Sequence, residues 1–219
     1  MYYSGGFAPL HIASLNGHVE VVRELLHHGA KIEARTPDGR TSLHWASSNG
    51  HVKVVCALLD AGAKIEAKNS GGLTPLFDAC LPGKLDVLCK LLERGADTGA
   101  RTTYLGMTAL HFASANERPG SIRELLWHMK EGLDARDDLG RSPLLVGCRE
   151  GNLLATITLI KFHANLAAFD NDGHSALWHA EWRVAQDALP PAAGAAPISA
   201  EACAEHAAVV ALLKAIRAP

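Results

Sequence analysis

The sequence predicts an all-α solenoid of about six helix–turn–helix units. Three observations carry that prediction. A seven-residue signature recurs at Ala8–Ser14 (APLHIAS), Thr41–Ser47 (TSLHWAS), Thr74–Cys80 (TPLFDAC), Thr108–Ser114 (TALHFAS), Ser142–Cys148 (SPLLVGC) and Ser175–Glu181 (SALWHAE), each copy 33 or 34 residues after the last. Paired leucines follow in register at Leu25-Leu26, Leu58-Leu59, Leu91-Leu92 and Leu125-Leu126, with Leu159-Ile160 in the same place of the fifth unit. Composition is that of an ordinary globular chain, 48% hydrophobic and 20% charged, yet only 5% aromatic, which suits helices better than a β-sandwich core. A fixed period in this range is the signature of a repeat architecture.

Each unit reads as two short helices. In the second, Thr41 is an N-cap residue ahead of apolar residues at helical spacing. Asn49-Gly50 stops that helix, because glycine accepts the left-handed conformation. A second helix follows over Val52–Leu59, with apolar residues at Val52, Val55, Leu58 and Leu59, and Gly62 ends it. Asp38-Gly39 and Gly71-Gly72 lie in the links between units as tight-turn residues. A single such unit cannot bury its apolar face, whereas stacked copies share one continuous core. The small pair Ala46-Ser47 and its counterparts let neighbouring first helices approach closely.

On these motifs the chain resembles the ankyrin-repeat family, whose period is 33 and whose signature is T-P-L-H-x-A. The resemblance covers about residues 7–184 and a final helix near 206–216. It implies antiparallel helix pairs, hairpin-like fingers between them, and a protein partner docked on the concave face of fingers and first helices. It also gives His11, His44 and His111 a structural role, tying first helices to loops. One domain over residues 1–219 is expected, with units starting near 8, 41, 74, 108, 142 and 175.

The departures are specific. The motif histidine is replaced by Phe77, Leu145 and Trp178. Glu117-Arg118-Pro119-Gly120 replaces the Gly-His step of the fourth unit, and extra residues fall in 101–106 and 128–132. The sixth unit carries a 20-residue insertion, expected as an Ala/Pro-rich surface loop over 186–205, with Ser199-Ala200-Glu201 capping a helix through Ala202–Ala215. The abrupt start leaves two readings, a truncated solenoid or a degenerate cap built from Met1–Gly6.

Several functions are excluded or left without support. Net charge is −2 and pI about 6.6, so nothing in composition favours nucleic acid. No apolar run approaches the roughly 20 residues of a membrane span, and the N-terminus has no secretory pattern. Five scattered cysteines without a C-x-x-C pair suit a reduced, intracellular setting, cytoplasmic or nuclear. Cys56, Cys89, Cys80 and Cys148 are expected to pack as small apolar residues. No phosphate loop, nucleophile elbow or zinc-protease motif occurs, so no catalytic residue, cofactor or metal ligand is assigned.

What remains is recognition of a protein by a monomeric adaptor, scaffold or inhibitory module. The alternative is the regulatory part of a larger enzyme, channel or ubiquitin-ligase adaptor. Arg35, Lys68, Arg101 and Arg136 recur at one finger position, and Arg40 and Arg141 at another, which together form a basic stripe suited to an acidic segment of the partner. Asp38, Asp137, Asp138, Asp170 and Asp172 interrupt it. Trp45, Tyr104, Phe112 and Trp182 are the aromatic anchor candidates, and Asn49, Asn116, Arg149 and Arg183 complete the surface at the ends of the first helices.

Overall fold

The computed structural model describes residues 6–80, 84–129, 131–188 and 199–217. The described residues form twelve α-helices and one isolated β-bridge, Phe169 with Ser175. The chain divides into two compact units, Met1–Ala109 and Leu110–Pro219.

In the first unit the helices come in pairs: α1 (Pro9–Leu15) with α2 (Val19–His27), α3 (Ser42–Asn49) with α4 (Val52–Asp60), and α5 (Pro75–Ala79) with α6 (Leu85–Glu93). α1, α3 and α5 pack in one row, and α2, α4 and α6 in a second. Leu10, Leu43 and Leu76 bury the first row, and Val22, Val55 and Leu88 bury the second. The motif histidines join consecutive pairs. His11 Nδ1 accepts from Ala8 N–H at 2.9 Å while Nε2 donates to Ala34 C=O at 2.8 Å. His44 repeats this, accepting from Thr41 N–H at 3.1 Å and donating to Leu73 C=O at 3.0 Å. Phe77 fills the same slot in the third pair with an entirely buried ring. On the other side of the fingers, Glu33 accepts from Lys64 N–H and Glu66 from Asp97 N–H, both at 2.8 Å.

The second unit repeats the pattern with α7 (Ala109–Ala115), α8 (Pro119–His128), α9 (Pro143–Glu150), α10 (Leu153–Lys161), α11 (Ala176–Asp187) and α12 (Ala200–Arg217). α9 packs on α10 and α11, and α10 on α8 and α12. His111 Nε2 donates to Arg141 C=O at 2.9 Å, and Leu145 is buried where the next histidine would stand. Asp134 accepts from Asn165 N–H at 2.9 Å, continuing the carboxylate-to-amide pattern.

The interruption of the sixth pair is more helical than a loop over 186–205 would be. α11 runs 12 residues, to Asp187, and α12 starts at Ala200 with Ser199 Oγ accepting from Ala202 N–H at 3.2 Å. The Ala/Pro-rich stretch 189–198 lies outside the described residues, as do residues 1–5 of the expected N-terminal cap and the expected helix-end pair Leu81-Pro82. α11 and α12 are joined by buried polar groups: His206 Nδ1 donates to Asp187 Oδ2, and Arg183 Nε lies 3.5 Å from Asp187 Oδ1. Arg183 Nε is also 3.4 Å from His206 Nδ1. That nitrogen cannot donate and accept at once, and the shorter Asp187 contact takes precedence.

The ring of His206 rests on Gly151, the C-cap of α9, where an added Cβ would come within 1.8 Å of His206 Cδ2. Gly151 and Gly173 share a positive φ, 78° and 80°, but a Cβ at Gly173 meets nothing within 4 Å. Gly173→Ala should therefore cost only the left-handed penalty, about 1 kcal/mol. Gly151→Ala should cost about 1–3 kcal/mol more, because the buried His206 must give way. Urea denaturation of the two variants checks the difference, and equal losses would contradict the His206–Gly151 contact.

Candidate protein-interaction surface

In the first unit the finger arginines are positioned by backbone carbonyls. Arg35 is exposed, and its Nη1 donates to Gly39 C=O at 2.8 Å and to Lys68 C=O at 2.5 Å, 33 residues on. Lys68 and Arg101 are exposed at the equivalent positions, and Tyr104 at the next finger is 77% exposed. Thr102 Oγ1 donates to Tyr104 C=O at 2.7 Å, shaping that finger.

Arg40 is held differently. Its guanidinium lies 4.9 Å over the Trp45 ring, Nε is 3.4 Å from Asp38 Oδ2, and Nη2 is 3.3 Å from Asp78 Oδ1. Cation–π contact and two carboxylates fix its direction. Trp45 is half-buried against Phe7, ring centroids 5.1 Å apart. Asn49 caps its own helix, Nδ2 donating to Trp45 C=O at 2.9 Å.

Asp78 was not among the residues the sequence singled out. It stands in the register position of Trp45 and Phe112, only 3% exposed, with Oδ2 accepting no hydrogen bond among the described residues. Burial pushes its carboxyl up to about 6, Arg40 opposing and Asp38 adding to the rise. His44, beside it in the stack, moves the other way. Burial holds its imidazole down at about 4, helped by Arg40 and Arg35 and opposed by the bond to Leu73.

In the second unit, Arg136 is exposed, with Nη2 3.4 Å from Asn171 Oδ1, and Asp138 is exposed while its carbonyl accepts from Asn171 Nδ2 at 3.1 Å. Asn116 Nδ2 donates to Phe112 C=O at 2.8 Å, so it closes α7 as Asn49 closes α3. Arg149 lies 4.9 Å over the half-buried Trp182. Two expectations need correction. Arg141 is buried, its Nε and Nη2 at 2.9 Å and 2.7 Å from Asp137 Oδ2, so it braces the finger instead of extending an exposed basic stripe. Arg183 is likewise committed, to Asp187 between α11 and α12. The signal in the sequence is Asp137, four residues earlier: the carboxylate that interrupts the stripe is the internal partner of Arg141.

Among the described residues, Asp170, Asp172 and His174 bring ligand-type atoms within 4.8 Å of one another. Asp170 is already committed: Oδ1 accepts from Asp172 N–H at 3.0 Å and His174 N–H at 2.8 Å, and Oδ2 faces His179 Nε2 at 2.9 Å. This is the turn-capping role that Asp137 plays one finger earlier, accepting from Leu139 and Arg141 N–H. Among the cysteines, Cys80 and Cys148 are buried, which pushes both thiols up to about 12, and Cys56 and Cys89 are half-buried. Thiols so raised are poor nucleophiles.

A sequence profile described as ankyrin repeats (3 copies) matches residues 3–69, and one described as ankyrin repeats (many copies) matches residues 76–126. The chain belongs to the ankyrin-repeat family. Among solved structures it is similar to the ankyrin repeat domain of Bcl-3, described as a unique member of the IkappaB protein family. The match has 30% identity and a TM-score of 0.73, over 82% of this chain and 80% of that one. No curated protein sequence matches. Ankyrin repeats are protein–protein interaction modules, and no described helix is long and apolar enough to cross a membrane.

Asp78 and His44 give opposite pH signatures. Asp78 has a folded value of about 6 against the ordinary 3.8, so the folded state binds the extra proton and stability falls as pH rises through that window. His44 has a folded value of about 4 against the ordinary 6.5, so its contribution is present above 6.5 and lost as pH falls towards 4. Asp78→Asn removes only the first effect. The stability of the variant relative to wild type should rise from pH 4 to pH 6, by up to about 3 kcal/mol. Urea melts across that range check this, and a pH-independent difference would contradict the buried Asp78 carboxyl.

Proposed function

We propose that this ankyrin protein is an adaptor, scaffold or inhibitory subunit that recognises a protein partner through its fingers and first-helix ends, and that it takes an acidic segment of that partner. The observation that supports this most is Arg40. A guanidinium stacked on Trp45 and flanked by Asp38 and Asp78 loses little freedom on binding, which is the condition for an effective anchor. Arg35 is directed in the same way by two backbone carbonyls, and Lys68, Arg101 and Tyr104 are exposed along the same row of fingers. In the second unit, Arg136 and the stacked pair Arg149–Trp182 offer the same chemistry. The similarity to the ankyrin repeat domain of an IkappaB-family member supports a role in protein recognition.

Partner capture from source-cell lysate tests the reading, with wild type compared against Arg35→Glu/Arg101→Glu/Tyr104→Ala and against Arg136→Glu/Trp182→Ala. All these side chains except Trp182 are exposed, so helical circular dichroism should be preserved. A partner retained by wild type should bind the first variant at least tenfold more weakly. It should also elute as salt rises, because exposed charge pairs are screened. A partner that binds all three proteins equally would contradict the finger surface.

A further inference from the structure

The fifth residue of each signature falls at one register position of the first helices: Ile12, Trp45, Asp78, Phe112, Val146 and His179. The others are apolar or aromatic, and Asp78 alone is a carboxylate. It is almost wholly buried, 3% exposed, and its Oδ2 accepts no hydrogen bond among the described residues. A buried carboxylate with an unpaired oxygen costs stability. The cation that meets it is Arg40, whose Nη2 lies 3.3 Å from Asp78 Oδ1.

Arg141 stands where Arg40 does, one residue before a signature, and it is closed off. It is buried, with Nε and Nη2 at 2.9 Å and 2.7 Å from Asp137 Oδ2. Arg40 is held more loosely. Its contacts with Asp38 and Asp78, 3.4 Å and 3.3 Å, exceed the roughly 2.7–2.9 Å of a charge-assisted hydrogen bond. Trp45 fixes the plane of the guanidinium, but neither carboxylate engages it in a full hydrogen bond, and the side chain is only partly covered. With Asp78 ionised, one cation sits between two anions and the group is net negative. With Asp78 protonated, the group is neutral and the guanidinium has lost its buried competitor.

We infer that Asp78 is a proton-operated gate on Arg40: ionised, it competes with a partner's carboxylate for the guanidinium, and protonated, it gives the guanidinium up to that carboxylate. This gate presupposes the reading of Arg40 as the anchor for an acidic segment, and it makes that segment bind more tightly as pH falls. The sign follows from linkage, because an anionic ligand favours the state in which Asp78 carries the proton. The neighbouring charges leave the role to Asp78. α5 packs on α3 and α6. The finger brings Arg40, Asp38 and Arg35, and α3 brings His44, which burial holds neutral down to about 4. Burial raises Asp38, but its hydrogen bonds with Thr36 and Arg40 N–H outweigh that and keep it ionised. α6 brings Lys84, whose Nζ donates to Asn49 C=O at 3.2 Å, while Asp86 is exposed and Lys90 pairs with Glu93. On α5 itself, burial keeps Cys80 a neutral thiol. Of these groups, Arg40 and Asp38 act on Asp78 through charge.

Binding of a rhodamine-labelled oligo-aspartate peptide to the full chain, followed by anisotropy from pH 7.5 to pH 5, tests the gate. With a value of about 6, the protonated fraction of Asp78 climbs from about 3% to about 90% over that range, which bounds the gain in affinity at about thirtyfold. Asp78→Asn should bind about tenfold more tightly than wild type at pH 7.5, and the two proteins should converge at pH 5. Other titrations act on both proteins alike, so the difference between them reads Asp78. Wild type and variant that change in parallel, with the peptide bound by both, would overturn the gate and leave Arg40 as the anchor. No binding at any pH, or Arg40→Gln binding as wild type does, would overturn that anchor and the gate with it. A second measurement needs neither variant nor ligand. The Arg40 Nε–H resonance of wild type should shift with a midpoint near pH 6, and a resonance unmoved between pH 5 and pH 7.5 would overturn the gate even if Asp78→Asn did not fold.

Discussion

A buried side chain that reaches from one helix pair to the finger of the next is the contact on which each unit of this protein depends. His44 shows it fully. One ring nitrogen satisfies the N-cap amide of its own helix, the other satisfies a carbonyl 29 residues away, and the ring fills the space between. Both bonds are made without water, so an unpaired partner group would cost about 1–3 kcal/mol. Where Phe77 and Leu145 replace the histidine, the slot stays buried, which shows that filling the volume comes first and the hydrogen bonds second. The fingers are therefore held by the stack, and any surface they form inherits its rigidity.

The same economy governs the charged residues. Of the arginines placed in register along the fingers, some brace the protein and others face outward. Arg141 lies buried on Asp137, while Arg35 spends one nitrogen on two carbonyls and stays exposed. Arg40 lies between these cases, fixed by Trp45, Asp38 and Asp78 yet only partly covered. Asp78 is the most costly of these groups. A carboxylate in a buried position with one oxygen unpartnered is retained at a penalty that the Arg40 contact only partly offsets. Its neighbour His44 is held neutral by the same burial, so two titrations of opposite sense share one small region.

Much of this was legible in the sequence. The period, the paired leucines and the T-P-L-H-x-A copies placed all the first helices and most of the second ones, because helical spacing and glycine stops are local properties. The aromatic and cationic candidates fell on the finger and first-helix surface for the same reason. Pairing was not legible. Arg136 and Arg141 both lie within four residues of an acidic side chain, yet only Arg141 turns inward, to Asp137, while Arg136 remains exposed. Asp78 was not legible either, because nothing in the motif TPLFDAC marks the carboxylate as buried, and only the packing places it there. α12 begins at Ala200, two residues before the expected start at Ala202, with Ser199 as its cap.

The central claim is that each helix pair owes its stability to its neighbours rather than to itself. Native-state hydrogen exchange tests it most directly. In the first unit, α4 packs against both α2 and α6, whereas α2 packs on α1 and on α4 alone in its row. The account predicts that the amides of α2 exchange markedly faster than the equivalent amides of α4, despite nearly identical leucine pairs and helix lengths. Equal protection of α2 and α4 would contradict it.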